Sequence, residues 1–288
     1  VFNLQFKINL EYTPRSPRSG HSFTESSHVR SGTSYTFDTN EVGIALVDLW
    51  NFGWEVGPIE KSLGWELSTE RGASHALRKK EIITQRIAPT IQRLRQSGIQ
   101  IFHCNHAAFL KDYPQWMSST TEEERDRAAV EHEESVDSSA ATESIFPEME
   151  WQKEWMRRHV DDIFNLSWSR QQAETYSQIR IPQEVEPLDK DILIYSQEQF
   201  NRNLRERGIR ALFYMGFETD ECVTYSDYGI MNMRSLGYMT NIVRDCTTTY
   251  ESAETAQGLW RTKVSIELIE KRWGYSVNSQ DLVQAVEK

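Results

Sequence analysis

Two side chains in this sequence could do chemistry together. Asp48 directly follows the apolar run GIALV (43–47), and Cys222 lies within GFETDECVTYS (216–226). A carboxylate at the end of a buried apolar run loses hydration. Desolvation raises its pKa and makes it a better general base. A cysteine at the start of a helix meets unsatisfied N–H groups and the positive end of the helix dipole, which favour a thiolate. The same N–H groups can hold an oxyanion. Each residue also has an ordinary explanation. Asp48 could cap the next element or open a turn, and Cys222 could be a buried structural thiol.

The elements around them bring the two into one place. GIALVD (43–48), IQIFHC (99–104), DILIY (191–195), ALFYMG (211–216) and MTNIVRD (239–245) read as five short buried strands, with YSVNS (275–279) as a sixth. Helices are expected between them: 80–97 with a kink or boundary at Pro89 and a stop at Gly98, 199–208, 221–236, and 252–272. Strands alternating with helices indicate an α/β three-layer sandwich, a mostly parallel sheet with helices on both faces. Ligands in such sheets bind beyond the carboxyl ends of the strands, where strand order reverses. Asp48 and Cys222 both fall at such ends. Residues 1–40 are expected to form an N-terminal arm or hairpin, and 41–288 the main domain. An insertion at about 107–188 should carry two helices. The first is acidic, TEEERDRAAVEHEE (121–134), and reads as a solvated face. The second is amphipathic, with Trp151, Trp155, Ile163, Phe164 and Trp168. Those tryptophans should bury the extra segment or an oligomer contact.

Composition narrows the function class. The 288 residues are 38% hydrophobic and 26% charged, with a formal net charge of -11. Basic clusters for phosphate neutralisation are absent, so a nucleic-acid partner is not expected. No stretch approaches the roughly 20 apolar residues of a membrane span. Cys104, Cys222 and Cys246 are too sparse for a disulfide framework and fit a reducing, cytoplasmic setting. Cys104 and Cys246 read as core residues.

GIALVDLWNFGW (43–54), RLRQSGIQIFHCNHA (93–107) and LRERGIRALFYMGFETDECVTYSDYGIMNMRSLGYMTNIVRDCTTTY (204–250) together resemble the isochorismatase-like cysteine hydrolases, relatives of nicotinamidase and N-carbamoylsarcosine amidase. The most specific part is the Gly-x-x-Thr-x-x-Cys-Val turn at 216–223. The resemblance covers about 42–106 and 190–285. It implies a six-stranded sheet of order 3-2-1-4-5-6, with strands one and four at the reversal. It further implies hydrolysis of a small amide or urea-type C–N bond through a thioester. Cys222 is then the nucleophile and Asp48 the general base. The oxyanion hole maps to the N–H groups of Cys222 and Glu218, and a cis peptide to Phe217–Glu218. Glu218 stands where the family often has a small residue. Its side chain points either into the pocket, selecting a cationic or polar substrate, or into solvent. Trp50, Asn51, Asn105, His106 and Phe217 are the expected substrate-binding side chains. The implied partner is a small molecule, and the usual assembly a homo-oligomer.

The sequence departs from the family at one catalytic position. The family lysine at the end of strand three maps to Ser196. Lys111, Lys153, Arg157, Arg158 and His159 are candidate replacements for the cation. Nicotinamidase-like members bind a metal near strand two with an Asp and two His. Here His103 and His106 occur without that Asp, so no cofactor is expected and a divalent metal near His103 and His106 is a weak alternative. The missing lysine leaves two other readings open. One is a relative that has lost or changed its chemistry. The other is a vinyl-ether hydrolase that uses the aspartate as an acid and does not need the cysteine.

Overall fold

The computed structural model describes residues 5–52, 54, 70–134, 146–163 and 178–286. Among these residues the strands are β1 (Gln5–Tyr12), β2 (Ser31–Asp38), β3 (Val42–Val47), β4 (Gln100–Cys104), β5 (Ile192–Ile194), β6 (Ala211–Phe217), β7 (Met239–Thr248) and β8 (Gly274–Val277). They form a single sheet of order β2-β1-β8-β7-β6-β3-β4-β5. The six strands β3 to β8 pair in parallel and follow the order 3-2-1-4-5-6. The expected count of six is corrected to eight, and the sheet is mixed. β1 and β2 form an antiparallel hairpin that joins β8 at the Glu11–Ser276 pair. The hairpin joins because its first strand alternates: Phe6, Ile8 and Leu10 are buried between exposed neighbours.

All six residues of β3 are buried. The strand lies between β4 and β6, covered on both edges and both faces. The strand order reverses between β3 and β6, so residues just past their carboxyl ends share one crevice. That seam is unusually close. Gly216 in β6 has φ 126°, and a Cβ there would meet the Val47 carbonyl oxygen at 2.0 Å. No other residue fits this backbone position. The register of β7 against β6 shifts at the same point, and Thr247 Oγ1 donates to the Gly216 carbonyl at 2.8 Å. The ends of β3 and β6 are thereby fixed against each other.

Helices flank the sheet. α1 (Glu70–Ile82) continues through a π turn (Ile83–Ile87) into α2 (Ala88–Gln96). The expected boundary at Pro89 is present, as a change of helix type at Ala88. Pro89 sits in the first turn of α2, where its missing N–H costs little, and the wider turn before it absorbs the mismatch. Next come α3 (Ala107–Leu110), α4 (Trp116–Ser119), α5 (Glu122–Glu134), α6 (Met149–Ile163) and α7 (Gln197–Arg207). The expected helix 221–236 is two pieces, α8 (Cys222–Tyr225) and α9 (Ile230–Ser235), separated by a tight turn in which Gly229 N–H donates to Ser226 O at 2.7 Å. The expected helix 252–272 begins only at Trp260, because Gly258 and Leu259 take positive φ of 94° and 53°. It forms α10 (Trp260–Arg272), and α11 (Ser279–Val286) follows β8. No described helix is long and apolar enough to cross a membrane.

The chain divides into two compact units. One holds residues 1–50, 79–121 and 181–288, and with them the sheet; the other holds 51–78 and 122–180. In the second unit, Trp151 and Trp155 of α6 are exposed and pack on each other, with ring centroids 6.1 Å apart. Of the two uses expected of them, burying the extra segment is corrected: an i, i+4 pair on one helix face meets its own neighbour and stays exposed, as an oligomer contact requires. Phe164 and Trp168 lie outside the described residues.

Replacing Gly216 with alanine should lower stability by about 2–4 kcal/mol, because the added carbon meets backbone rather than a movable side chain. The urea unfolding midpoint measures this, and an unchanged midpoint would show that the β3–β6 seam is looser than described.

Candidate active site

The site begins where β3 ends. Asp48 follows Val47 directly and adopts φ 48°, a left-handed conformation that aspartate tolerates better than most residues. Its N–H donates to Cys104 O at 3.0 Å, which ties it to the end of β4. The carboxylate is buried. Oδ1 accepts a hydrogen bond from the Tyr228 hydroxyl at 3.3 Å. Oδ2 has no hydrogen-bond partner of full geometry among the described residues. Burial pushes the Asp48 pKa up. The charge of His106 and hydrogen bonding from Cys222 and Tyr228 oppose that rise, and Glu218 adds to it.

Cys222 opens α8 beside this carboxylate, half-buried. Burial raises its pKa strongly; the Asp48 charge and hydrogen bond, and the charge of Glu221, raise it further. The expected thiolate is therefore corrected. α8 is only four residues long, so its dipole is small beside the cost of burying an anion next to a carboxylate. Burial beside the Asp48 carboxylate favours the thiol form of Cys222. Its backbone N–H, at the first helical position, has no acceptor among the described residues.

The loop from β6 to α8 is held at several points. The Phe217–Glu218 peptide is cis, and the Glu218 carbonyl accepts from the N–H groups of Glu221 and Val223, each at 3.1 Å. Thr219 N–H donates to Thr248 O at 3.1 Å, and the Thr224 hydroxyl to Thr219 O at 2.6 Å. Arg261 binds Asp220 at 2.6 Å. Phe217 is buried at the end of β6.

Glu218 points neither to solvent nor unaccompanied into a pocket. Its buried carboxylate takes Lys79 Nζ at 3.2 Å, with both side chains at 7% exposure or less. Lys79 also lies 5.9 Å from the ring centre of Phe217 and 5.8 Å from that of Tyr250. This is a cation that the sequence reading missed. The signal was there: Lys79 is four residues before Ile83, so it shares the stripe of Ile83, Ile87, Ile91 and Leu94 that α1 and α2 bury. Lys111 is exposed after α3, and Lys153, Arg157, Arg158 and His159 are exposed on α6. Ser196 caps α7, its side chain accepting from Gln199 N–H at 3.3 Å.

On the β4 side, Trp50 Nε1 donates to Asn105 Oδ1 at 3.1 Å, and His106 N–H donates to the same oxygen at 2.8 Å. The Trp50 ring stands edge-on to Phe109, with centroids 5.7 Å apart, and lies 6.5 Å from His106. Asn105 is buried and holds Trp50, while the His106 ring is exposed. Asn51 has other work. In the second unit its N–H and side-chain oxygen pair with the backbone of Arg180, at 3.0 and 2.9 Å, and its amide nitrogen donates to Gln178 O. Asn51 thus clamps the backbone at Gln178 and Arg180.

His103 has a partner of its own away from His106. His103 Nε2 meets Asp191 Oδ2 at 3.1 Å, and Asp191 also holds Arg95. Burial lowers the His103 pKa despite Asp191. Among the described residues no group of three His, Cys, Asp or Glu side chains could hold a metal ion.

The isochorismatase-domain family model matches residues 70–270, more than two thirds of the chain. The chain belongs to the isochorismatase family. Members of this family are hydrolases. The match includes Lys79, Glu218, Cys222 and Tyr228 and begins after Asp48, whose place beside Cys222 comes from the structure. No curated protein matches the chain. Several solved isochorismatase-like structures are similar to it. A cysteine hydrolase from Pseudomonas syringae pv. phaseolicola 1448A is 14% identical, with TM-score 0.48, over 87% of this chain and 94% of that one. An isochorismatase family protein from Burkholderia thailandensis is 13% identical, with TM-score 0.46, over 86% and 97%. An isochorismatase from Pseudomonas putida KT2440 is 14% identical, with TM-score 0.44, over 84% and 90%.

Lys79→Met leaves the Glu218 carboxylate buried without its ammonium partner and should cost about 3–5 kcal/mol. The double variant Lys79→Met, Glu218→Gln should recover most of that loss in a denaturant titration. Additive losses would show that the pair is not coupled.

Proposed function

We propose that this isochorismatase-family chain is a cysteine hydrolase acting on a C–N bond of a small amide or urea-type molecule. The observation that carries the reading is the Cys222 thiol beside a buried carboxylate with an uncommitted oxygen, Asp48 Oδ2. The Cys222 sulfur attacks the substrate carbonyl carbon while its proton passes to Asp48. The N–H groups of Cys222 and Glu218 receive the oxygen as it gains negative charge. Asp48 then returns the proton to the leaving nitrogen, and a thioester remains on Cys222. Water attacks the thioester, Asp48 takes its proton, and the acid leaves as the sulfur is reprotonated.

Such a pair works without a resting thiolate. Desolvation makes Asp48 a strong base for a carboxylate, so proton transfer and attack proceed together. Lys79 neutralises the buried Glu218 carboxylate, so the loop that carries the oxyanion N–H groups holds no uncompensated negative charge, while Ser196 supplies no cation. Trp50, Asn105, His106 and Phe109 offer a wall of rings and a protonatable group suited to a flat, polar acyl portion. The reading calls for no cofactor. A reducing cytoplasmic setting, with all three cysteines free as they are here, and a homo-oligomeric state complete it.

One observation favours a second reading. A buried Asp48 with a raised pKa is also suited to donate a proton to a vinyl ether, a reaction that does not use the thiol. The two readings separate cleanly. An ammonia-release screen over amides and ureas should find a substrate, and Cys222→Ala should reduce its turnover by at least about a thousandfold. Turnover that survives in Cys222→Ala and vanishes in Asp48→Asn supports the vinyl-ether reading instead.

The pH profile carries a further expectation. Burial raises the Asp48 pKa, and the base must be ionised to act. Activity should therefore fall on acidification at a pH above the ordinary carboxylate range. An acid limb at or below that range in kcat/KM would contradict Asp48 as the base.

A further inference from the structure

Tyr228 lies in the turn between α8 and α9, and the packing there aims its ring inward. It is 4% exposed. Its carbonyl accepts from the hydroxyl of Tyr214, a fully buried residue of β6, at 2.9 Å. The turn is closed by Gly229 N–H on Ser226 O at 2.7 Å and by Asn232 Nδ2 on the same oxygen at 2.9 Å. From this fixed place the Tyr228 hydroxyl donates to Asp48 Oδ1 at 3.3 Å.

We propose that Tyr228 is a positioning residue that replaces the strand-end lysine with a neutral donor, binding Asp48 Oδ1 and so reserving Oδ2 for the proton of Cys222. The inference rests on reading Asp48 and Cys222 as the reacting pair. A carboxylate can rotate about its Cβ–Cγ bond and exchange its oxygens. One fixed hydrogen bond stops that rotation and leaves a single oxygen as the base. The phenol does this without adding charge. Burial, with Asp48, Cys222 and Cys104 as neighbours, pushes its own pKa far up, so it stays protonated.

The groups facing Asp48 come from four places. His106 precedes α3, Cys104 ends β4, Glu218 follows β6, and Cys222 and Tyr228 come from the segment beyond. His106 acts by charge, Glu218 opposes ionisation, and buried Cys104 stays a thiol. Of these, only Cys222 and Tyr228 stabilise the carboxylate by hydrogen bonding. Removing the Tyr228 hydroxyl withdraws an influence that lowers the Asp48 pKa. The carboxyl then keeps its proton to higher pH, and the transfer from Cys222 begins later.

The test follows iodoacetamide labelling of Cys222 in the full chain against pH, read by peptide mass. Buried Cys104 and Cys246 serve as internal controls. In the native protein labelling should rise as Asp48 ionises. Tyr228→Phe should move that rise to higher pH and slow labelling below the native midpoint by about tenfold. Placing 3-fluorotyrosine at position 228, a stronger donor of almost the same shape, should move the rise to lower pH. It also keeps the test decisive if the phenylalanine variant folds poorly. A rise that stays at its native pH with either replacement overturns the proposal, even if amide hydrolysis is found. Opposite shifts without hydrolysis of any amide uphold the role of Tyr228 and count against the proposed function.

Discussion

The structure turns on the loss of water around one carboxylate. Asp48 sits past a strand that is buried on every side, so it cannot be solvated as an ordinary surface acid. An isolated buried charge of this kind would simply take up a proton. What surrounds it decides how far that tendency goes. His106, Cys222 and Tyr228 pull the carboxyl back toward ionisation, and Glu218 pushes the other way. The net effect is a pKa raised above the ordinary carboxylate value, with burial the largest cause.

The rest of the crevice holds that group in register. Gly216 lets β6 press against Val47, and the threonines of β7 fasten the strand end and the loop after it. Asp220, Arg261 and Thr249 anchor the middle of the loop, and Cys222 follows at its end. Ser196 has become a helix cap, Lys79 brings its ammonium from α1 to Glu218, and Tyr228 gives Asp48 a neutral hydrogen bond. The Tyr228 hydrogen bond lowers the Asp48 pKa against the rise that burial causes, and an ammonium paired with Glu218 leaves the loop without a buried uncompensated charge.

The parallel core was legible because strands buried on both faces read as unbroken apolar runs. GIALV and ALFYMG each ended within two residues of the observed strand. The hairpin at the edge was visible as an alternating segment, but nothing local says that it pairs with β8. Asp48 and Cys222 were legible as strand-end residues, whereas the protonation state of Cys222 was not. That depends on burial and on a carboxylate 174 positions away in sequence, a separation that follows from their numbers. Tyr228 was hidden by reading 221–236 as a continuous helix; the turn at Ser226–Gly229 is what aims its ring at Asp48. His103 could have been set aside from the sequence. It alternates with Phe102 and Cys104, which both pack into the core on one face, so it points to the other. Trp151 and Trp155 show the opposite case, an amphipathic pattern whose apolar side is exposed among the described residues.

The central claim is that Cys222 forms a covalent bond to the acyl group and that Asp48 governs its formation. Rapid acid quench of the full chain with an amide found by ammonia release, followed by peptide mass analysis, tests it directly. The native protein should carry an acyl group on the peptide containing Cys222, and Asp48→Asn should carry none. Ammonia released at an undiminished rate with no adduct on Cys222, and with Cys222→Ala still active, would contradict it.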